Sequence, residues 1–261
     1  MSHLSNKTIF ITGASSGIGK ACAYEFAKTN NTVKIVISAR RDVTGIANDI
    51  ESTFPGVKVH PLRLDVSKLE DIEENIEGLP DDFKDIDILI NNAGFVIGME
   101  KVGEINPEIM KDMFSTNVFG LINITQKILK IFHQKGGKGD IINIGSIAGR
   151  ETYPGGSIYC TTKAAVRSFS NSLRKELINT RIRVIEIDPG LVETEFSLVR
   201  FCGDKSKADA VYQGLEPLTA EDIAEVIVFA ASRRENVVIA DTLIFPNCQA
   251  SISHVHREKS P

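Results

Sequence analysis

Residues 7–27 read KTIFITGASSGIGKACAYEFA. The opening KTIFIT carries the β-branched and aromatic residues of a short strand, and apolar residues return at helical intervals from Ile18 onward. Between the two runs lie Gly13, Gly17 and Gly19, spaced G-x-x-x-G-x-G, with Ser15, Ser16 and Ile18 among them. Glycines there allow a tight turn and let backbone N–H groups approach an anion at the positive end of a helix. Strand, glycine turn and helix in that order predict the first βα unit of a dinucleotide-binding sheet. The spacing differs from G-x-G-x-x-G, and βα turns also use glycine for steric reasons alone. Lys20 is followed by Ala21, so the turn lacks the ending of a nucleoside-triphosphate P-loop.

Further strand-like runs follow at residues 33–38 (VKIVIS), 57–64, 86–91 (IDILIN), 139–145, 182–188 and 241–245. Between several of them lie helical patterns at 19–29, 108–132, 159–178 and 219–233. This alternation predicts an α/β fold: one doubly wound, Rossmann-like parallel sheet with helices on both faces, in a single domain spanning 1–261. Thr219 with Asp222 three residues on marks a helix start. Two segments break the rhythm. Residues 190–218 are too long for a simple connection and read as a lid-like excursion, and the tail at 246–261 has no clear period.

Composition narrows the function. The 261 residues are 42% hydrophobic, enough for a sizeable core, and the net charge of −4 excludes the basic excess of a nucleic-acid binder. No apolar run approaches a membrane span, and the N-terminus lacks the pattern of a targeting peptide. Cys22, Cys160, Cys202 and Cys248 are scattered, and His254 and His256 have no ligating company, so neither disulfide framework nor metal site is expected. A cytoplasmic location follows as the expectation.

The second strand runs into Ala39, Arg40 and Arg41. An acid there would accept the adenosine ribose of NAD, whereas cations suit the 2′-phosphate of NADP. The two arginines point to NADP; as a plain alternative, they begin a solvated helix beside Asp42.

Over nearly its whole length the chain resembles the short-chain dehydrogenase/reductase family. The resemblance rests on TGASSGIG at the glycine turn, LDV around Asp65, NNAG at 91–94, STNVFG around Asn117, NIGSIAG around Ser146, YCTTK with Tyr159 and Lys163, and PGLVET at 189–194. It implies a catalytic set of Ser146, Tyr159, Lys163 and Asn117. It also implies cofactor contacts from Gly13, Ser15, Ser16, Gly17, Ile18 and Gly19, from Arg40, Arg41 and Asp65, from Asn91, Ala93 and Gly94, from Tyr159 and Lys163, and from Pro189, Gly190, Val192 and Thr194. By the same resemblance Asn117 holds a water that links Lys163 to solvent, and the protein is a homotetramer, with the helices around 108–133 and 159–178 at subunit contacts.

The residues support that chemistry on their own terms. A phenol ionises near pH ~10, and a neighbouring cation favours phenolate. Lys163, one helical turn beyond Tyr159, is placed to be that cation, although four-residue spacing also suits an ordinary surface pair. Ser146 follows a strand, at the end where open α/β sheets bind ligands, and its hydroxyl can bond an oxygen whose charge changes during reaction.

The stretches at 192–214 and 241–251 resemble the NADP-dependent branch that oxidises serine, threonine and related short 3-hydroxy acids. A carboxylate substrate needs a cation, for which Arg150 and Arg200 are candidates; either could instead serve a structural ion pair. Two other functions fit the same motifs: a reductase of bulkier carbonyls (3-oxoacyl, steroid or sugar), and a non-catalytic NADPH sensor.

Overall fold

A computed structural model of the chain describes residues 3–258. The glycine turn joins β1 (Thr8–Thr12) to α1 (Gly17–Thr29). The chain continues through β2 (Lys34–Ala39), α2 (Thr44–Thr53), β3 (Lys58–Arg63), α3 (Leu69–Glu77), α4 (Asp81–Lys84) and β4 (Ile88–Asn91). It then runs through α5 (Pro107–Phe114), α6 (Leu121–Gln134), β5 (Lys138–Ile144), α7 (Ser157–Glu176) and β6 (Arg181–Pro189). Last come α8 (Glu195–Arg200), α9 (Lys205–Tyr212), α10 (Ala220–Ala231) and β7 (Asp241–Ile244).

All neighbouring strands pair in parallel, in the order β3-β2-β1-β4-β5-β6-β7. The order reverses between β1 and β4, so the connections leaving these two strands diverge and open a crevice at their carboxyl ends. Ile9, Phe10 and Ile11 are all fully buried, because the sheet is covered on both sides. Ile9 and Ile11 pack with α1, α2 and α10, while Phe10 faces the core formed by α3, α4, α6 and α7.

The helix expected over 108–132 is interrupted by a π-helical turn at Ser115–Gly120. A Cβ at Gly120 would lie 2.6 Å from the Val66 carbonyl, so the helix passes too close to the β3–α3 connection for any side chain there. The turn also brings Asn117 to the interior, 2% exposed. The expected helix start at Thr219 is a full capping box with Asp222. Helices α2 and α3 escape periodicity for compositional reasons. TGIANDIEST is poor in helix formers, and LEDIEENIE presents few apolar residues beside its acids.

The excursion at 190–218 carries α8 and α9, and its ends meet in a Val192–Leu218 bridge. The tail folds back on itself through a Gln249–Val255 bridge and fastens onto the excursion. Gln249 Oε1 accepts from Leu191 N at 2.8 Å, and the Arg257 guanidinium donates to the carbonyls of Gln213 (2.6 Å) and Val211 (3.0 Å). No helix among the described residues is long and apolar enough to cross a membrane.

Candidate functional site

The crevice at the β1/β4 reversal is a cleft of about 470 Å³. Its floor is the glycine turn. Gly13 sits at φ +67°, and a Cβ on it would lie 2.9 Å from Ala93 Cα, so the turn and the loop after β4 touch backbone to backbone. Gly17 also has positive φ (+52°) and opens α1, whose first turn has no side-chain cap. The free N–H groups of an uncapped helix start suit a pyrophosphate. Gly19 lies beneath, against the Gly13 carbonyl and the Asn92 amide, and leaves the cleft surface to Ser15, Ser16 and Ile18. The cradle thus fits a dinucleotide because side chains are missing where phosphates would rest.

Asp65 lies along the wall with Leu64 and Val66, its carboxylate accepting from Ser67 N and Oγ at 3.1 and 2.7 Å. Arg40 and Arg41 stand at the mouth, and Arg41 donates to Ser15 Oγ (3.1 Å) and Ser16 Oγ (2.9 Å). Pro189, Gly190, Val192 and Thr194 also line the cleft, together with Ala93 and Gly94.

Asn91 departs from expectation. Its side chain points into the sheet interior, where it donates to Thr125 Oγ1 and Asn143 Oδ1 at 2.9 Å each, and it does not reach the cleft. The following residue, Asn92, lines the cleft in its place and clamps the turn by donating to the carbonyls of Thr12 (2.9 Å) and Gly13 (3.1 Å). Sequence reasoning did not single out Asn92, Phe95, Tyr153, Glu195 or Phe196. The adjacency of two asparagines was the available signal for Asn92: leaving a strand, consecutive side chains point to opposite sides.

Ser146, Tyr159 and Lys163 all line the cleft, Ser146 just beyond β5 and the other two on α7. Asp188 Oδ1 accepts from Ser146 N at 3.0 Å, and Ser146 Oγ accepts from Ala148 N at 3.0 Å, which fixes the serine at the end of its strand. Tyr159 is 8% exposed; burial pushes its phenol above the ordinary value, and a hydrogen bond with Ser146 and the charge of Arg200 offset part of that rise. Lys163 stands beside the phenol but is held by the strand end. Its Nζ donates to the Ile144 carbonyl at 2.8 Å and lies 5.9 Å from the Tyr159 ring centre, and burial pulls its pKa down to about 8, against the charges of Asp188 and Glu186. Desolvation therefore drives both groups toward their neutral forms.

The side chain of Asn117 is engaged within the protein. Its Nδ2 donates to the Phe95 carbonyl (2.8 Å) and Thr162 Oγ1 (3.2 Å), and its Oδ1 accepts from Phe95 N (3.0 Å). It braces the segment after Gly94 against α7.

The two candidate arginines separate. Arg150 is taken by carboxylates: its Nε donates to the buried Asp188 at 2.6 Å and its guanidinium also pairs with Asp241, so it does not reach the cleft. Arg200, at the end of α8, does not line the cleft either, but it stays close to it. It donates to Tyr153 Oη at 3.0 Å and lies 5.3 Å from that ring, its Nε is buried without a partner, and its charge acts on Tyr159.

The family model described as short chain dehydrogenase matches residues 7–200. An NADP-dependent 3-hydroxy acid dehydrogenase of Schizosaccharomyces pombe is 58% identical over 262 residues, covering 100% of each chain. A serine 3-dehydrogenase of Rhizobium radiobacter is 37% identical, over 96% of this chain and 98% of that one. Among solved structures, the closed form of a serine dehydrogenase complexed with NADP+ superposes with a TM-score of 0.86 at 36% identity, covering 96% of this chain and 100% of that chain.

Two outcomes test this geometry. Asn91→Ala is expected to lower stability by about 1–3 kcal/mol, because it strands the buried Asn143 Oδ1 and removes a bond to Thr125, while leaving dinucleotide affinity unchanged; denaturant titration and calorimetry measure the two. Lys163 carries the sign of a buried cation. Its folded pKa lies below its unfolded value, so burial costs stability where it is charged, and that cost fades as pH rises from about 8 toward 10.5. The stability of the native chain relative to Lys163→Met should therefore improve across that window, by at most about 1.4 kcal/mol per pH unit.

Proposed function

Because the chain belongs to the short chain dehydrogenase family, we propose that it is an NADP-dependent oxidoreductase. It oxidises the 3-hydroxyl of small 3-hydroxy acids of the serine, allo-threonine and 3-hydroxyisobutyrate type, or reduces the matching carbonyls. The observation that carries this reading is that Ser146, Tyr159 and Lys163 line one cleft with the glycine turn and Arg41. The names of the relatives at 58% and 37% identity support the cofactor and the substrate class.

In this reading the Gly13–Gly19 turn holds the pyrophosphate, Asp65 and Val66 flank the adenine, and Arg40 and Arg41 receive the 2′-phosphate. When bound, oxidised NADP supplies the hydride acceptor and a positive ring that favours phenolate. Tyr159 is the acid–base group and takes the proton of the substrate hydroxyl; its burial excludes competing water. Ser146 donates to the same substrate oxygen and orients it. Lys163, anchored on Ile144, spends one of its three donors there and keeps two for the cofactor ribose and the proton path. The Arg200 guanidinium, whose charge acts on Tyr159, is the cation that receives the substrate carboxylate.

The excursion at 190–218 serves as the lid over the substrate end, and the whole is one catalytic domain. The protein acts as a homotetramer, a reading supported by the exposed apolar side chains of Met110, Phe119 and Ile178 on or just beyond the two long helical stretches. It works in the cytoplasm, consistent with the four free thiols.

Following NADPH absorbance with L-serine, L-allo-threonine and 3-hydroxyisobutyrate tests the substrate class; activity is expected with at least one, and none with any of the three would end it. Tyr159→Phe should bind NADPH normally and lose about 100-fold or more in kcat. Near-native turnover by that variant would remove Tyr159 from the chemistry.

A further inference from the structure

Arg41 reaches across the mouth of the cleft to a third partner besides Ser15 and Ser16: its terminal nitrogen pairs with the Glu195 carboxylate at 3.1 Å. Glu195 is the first residue of α8, and it lines the cleft together with Arg41. The residue before it, Thr194, packs against the turn, where a Cβ on Gly17 would lie 3.4 Å from its side chain. A carboxylate therefore stands at the phosphate end of the cleft, on a guanidinium that a 2′-phosphate would require.

Two anions cannot both be well served by one exposed guanidinium. The side chains of Arg41 and Glu195 are 60% and 54% exposed, so their pairing is weak enough to exchange readily. A phosphate dianion on the Ser15–Ser16 turn would repel the carboxylate, while a dinucleotide lacking the 2′-phosphate would leave the pair intact.

We propose that Glu195 is a specificity-determining residue: it occupies Arg41 in the free protein as an internal stand-in for the 2′-phosphate and is displaced when NADP enters. The proposal rests on the assignment of Arg41 to the 2′-phosphate made above. It links cofactor choice to the lid, because the exchange removes the Arg41–Glu195 tie between the glycine turn and α8 only when the phosphate is present.

Titration calorimetry of the full chain with NADP+ and with NAD+ tests it, using the native protein, Glu195→Gln, Arg41→Ala and the double variant. Glu195→Gln should bind NADP+ about fivefold tighter, with NAD+ affinity changed less than about twofold. The gain should shrink at high salt and vanish in the Arg41→Ala background. Unchanged or weaker NADP+ binding by Glu195→Gln overturns the proposal, as does equal tightening of both dinucleotides, which would place the carboxylate against the pyrophosphate they share. A gain that survives in the double variant also overturns it. The underlying assignment fails separately, if Arg41→Ala alone weakens NADP+ and NAD+ to the same extent.

Discussion

The site depends on the contact between the ends of β1 and β4. Thr12 Oγ1 accepts from the N–H groups of both Asn92 and Ala93 at 3.0 Å, while the Asn92 amide returns hydrogen bonds to the Thr12 and Gly13 carbonyls. This reciprocal clamp leaves no room for a side chain at Gly13, and it turns the parting of two parallel strands into a rigid floor. Every group proposed to meet cofactor or substrate is placed relative to that floor. Ser146 leaves the strand next to β4, and α7 crosses behind it to present Tyr159 and Lys163.

Electrostatics in the cleft follow from burial more than from pairing. The phenol and the ammonium each sit where water is scarce, and each is held nearer its uncharged form than it would be in solution. Behind them Asp188 collects Arg150 and Arg167 while holding the Ser146 N–H, so the strand end beside the hydroxyl is fixed by a network of charges that never face the cleft. Fixed dipoles and pre-set hydroxyls of this kind need little rearrangement during reaction, which is the condition for effective electrostatic catalysis.

Much of this was legible in the chain itself. Gly13, Gly17 and Gly19 stand out because their positions are dictated by the local turn, and Tyr159 and Lys163 because helical spacing puts them on one face. The sheet was readable because its strands are buried on both sides and so carry runs of Ile and Val. What escaped depends on distant partners. Arg150 looked free beside Ser146 until Asp188 and Asp241 were brought up by β6 and β7. Asn91 and Asn92 are chemically identical, and only the pleat at the end of β4 decides which one turns inward. The burial of Lys163 could not be read from its neighbours in sequence, because the Ile144 carbonyl that holds it belongs to β5.

The grip of the tail on the excursion has a mechanical corollary. Leu191, Val211, Gln213 and Gly214 are each hydrogen-bonded to tail residues between Gln249 and Glu258, so α9 cannot swing without carrying the carboxyl-terminal strap along. The strap is in turn moored to the body through Ile252 N and the Glu151 carboxylate at 2.9 Å, just beyond the Ser146 turn. Residues 249–258 thus act as a tether of fixed length, limiting how far the roof of the cleft can lift.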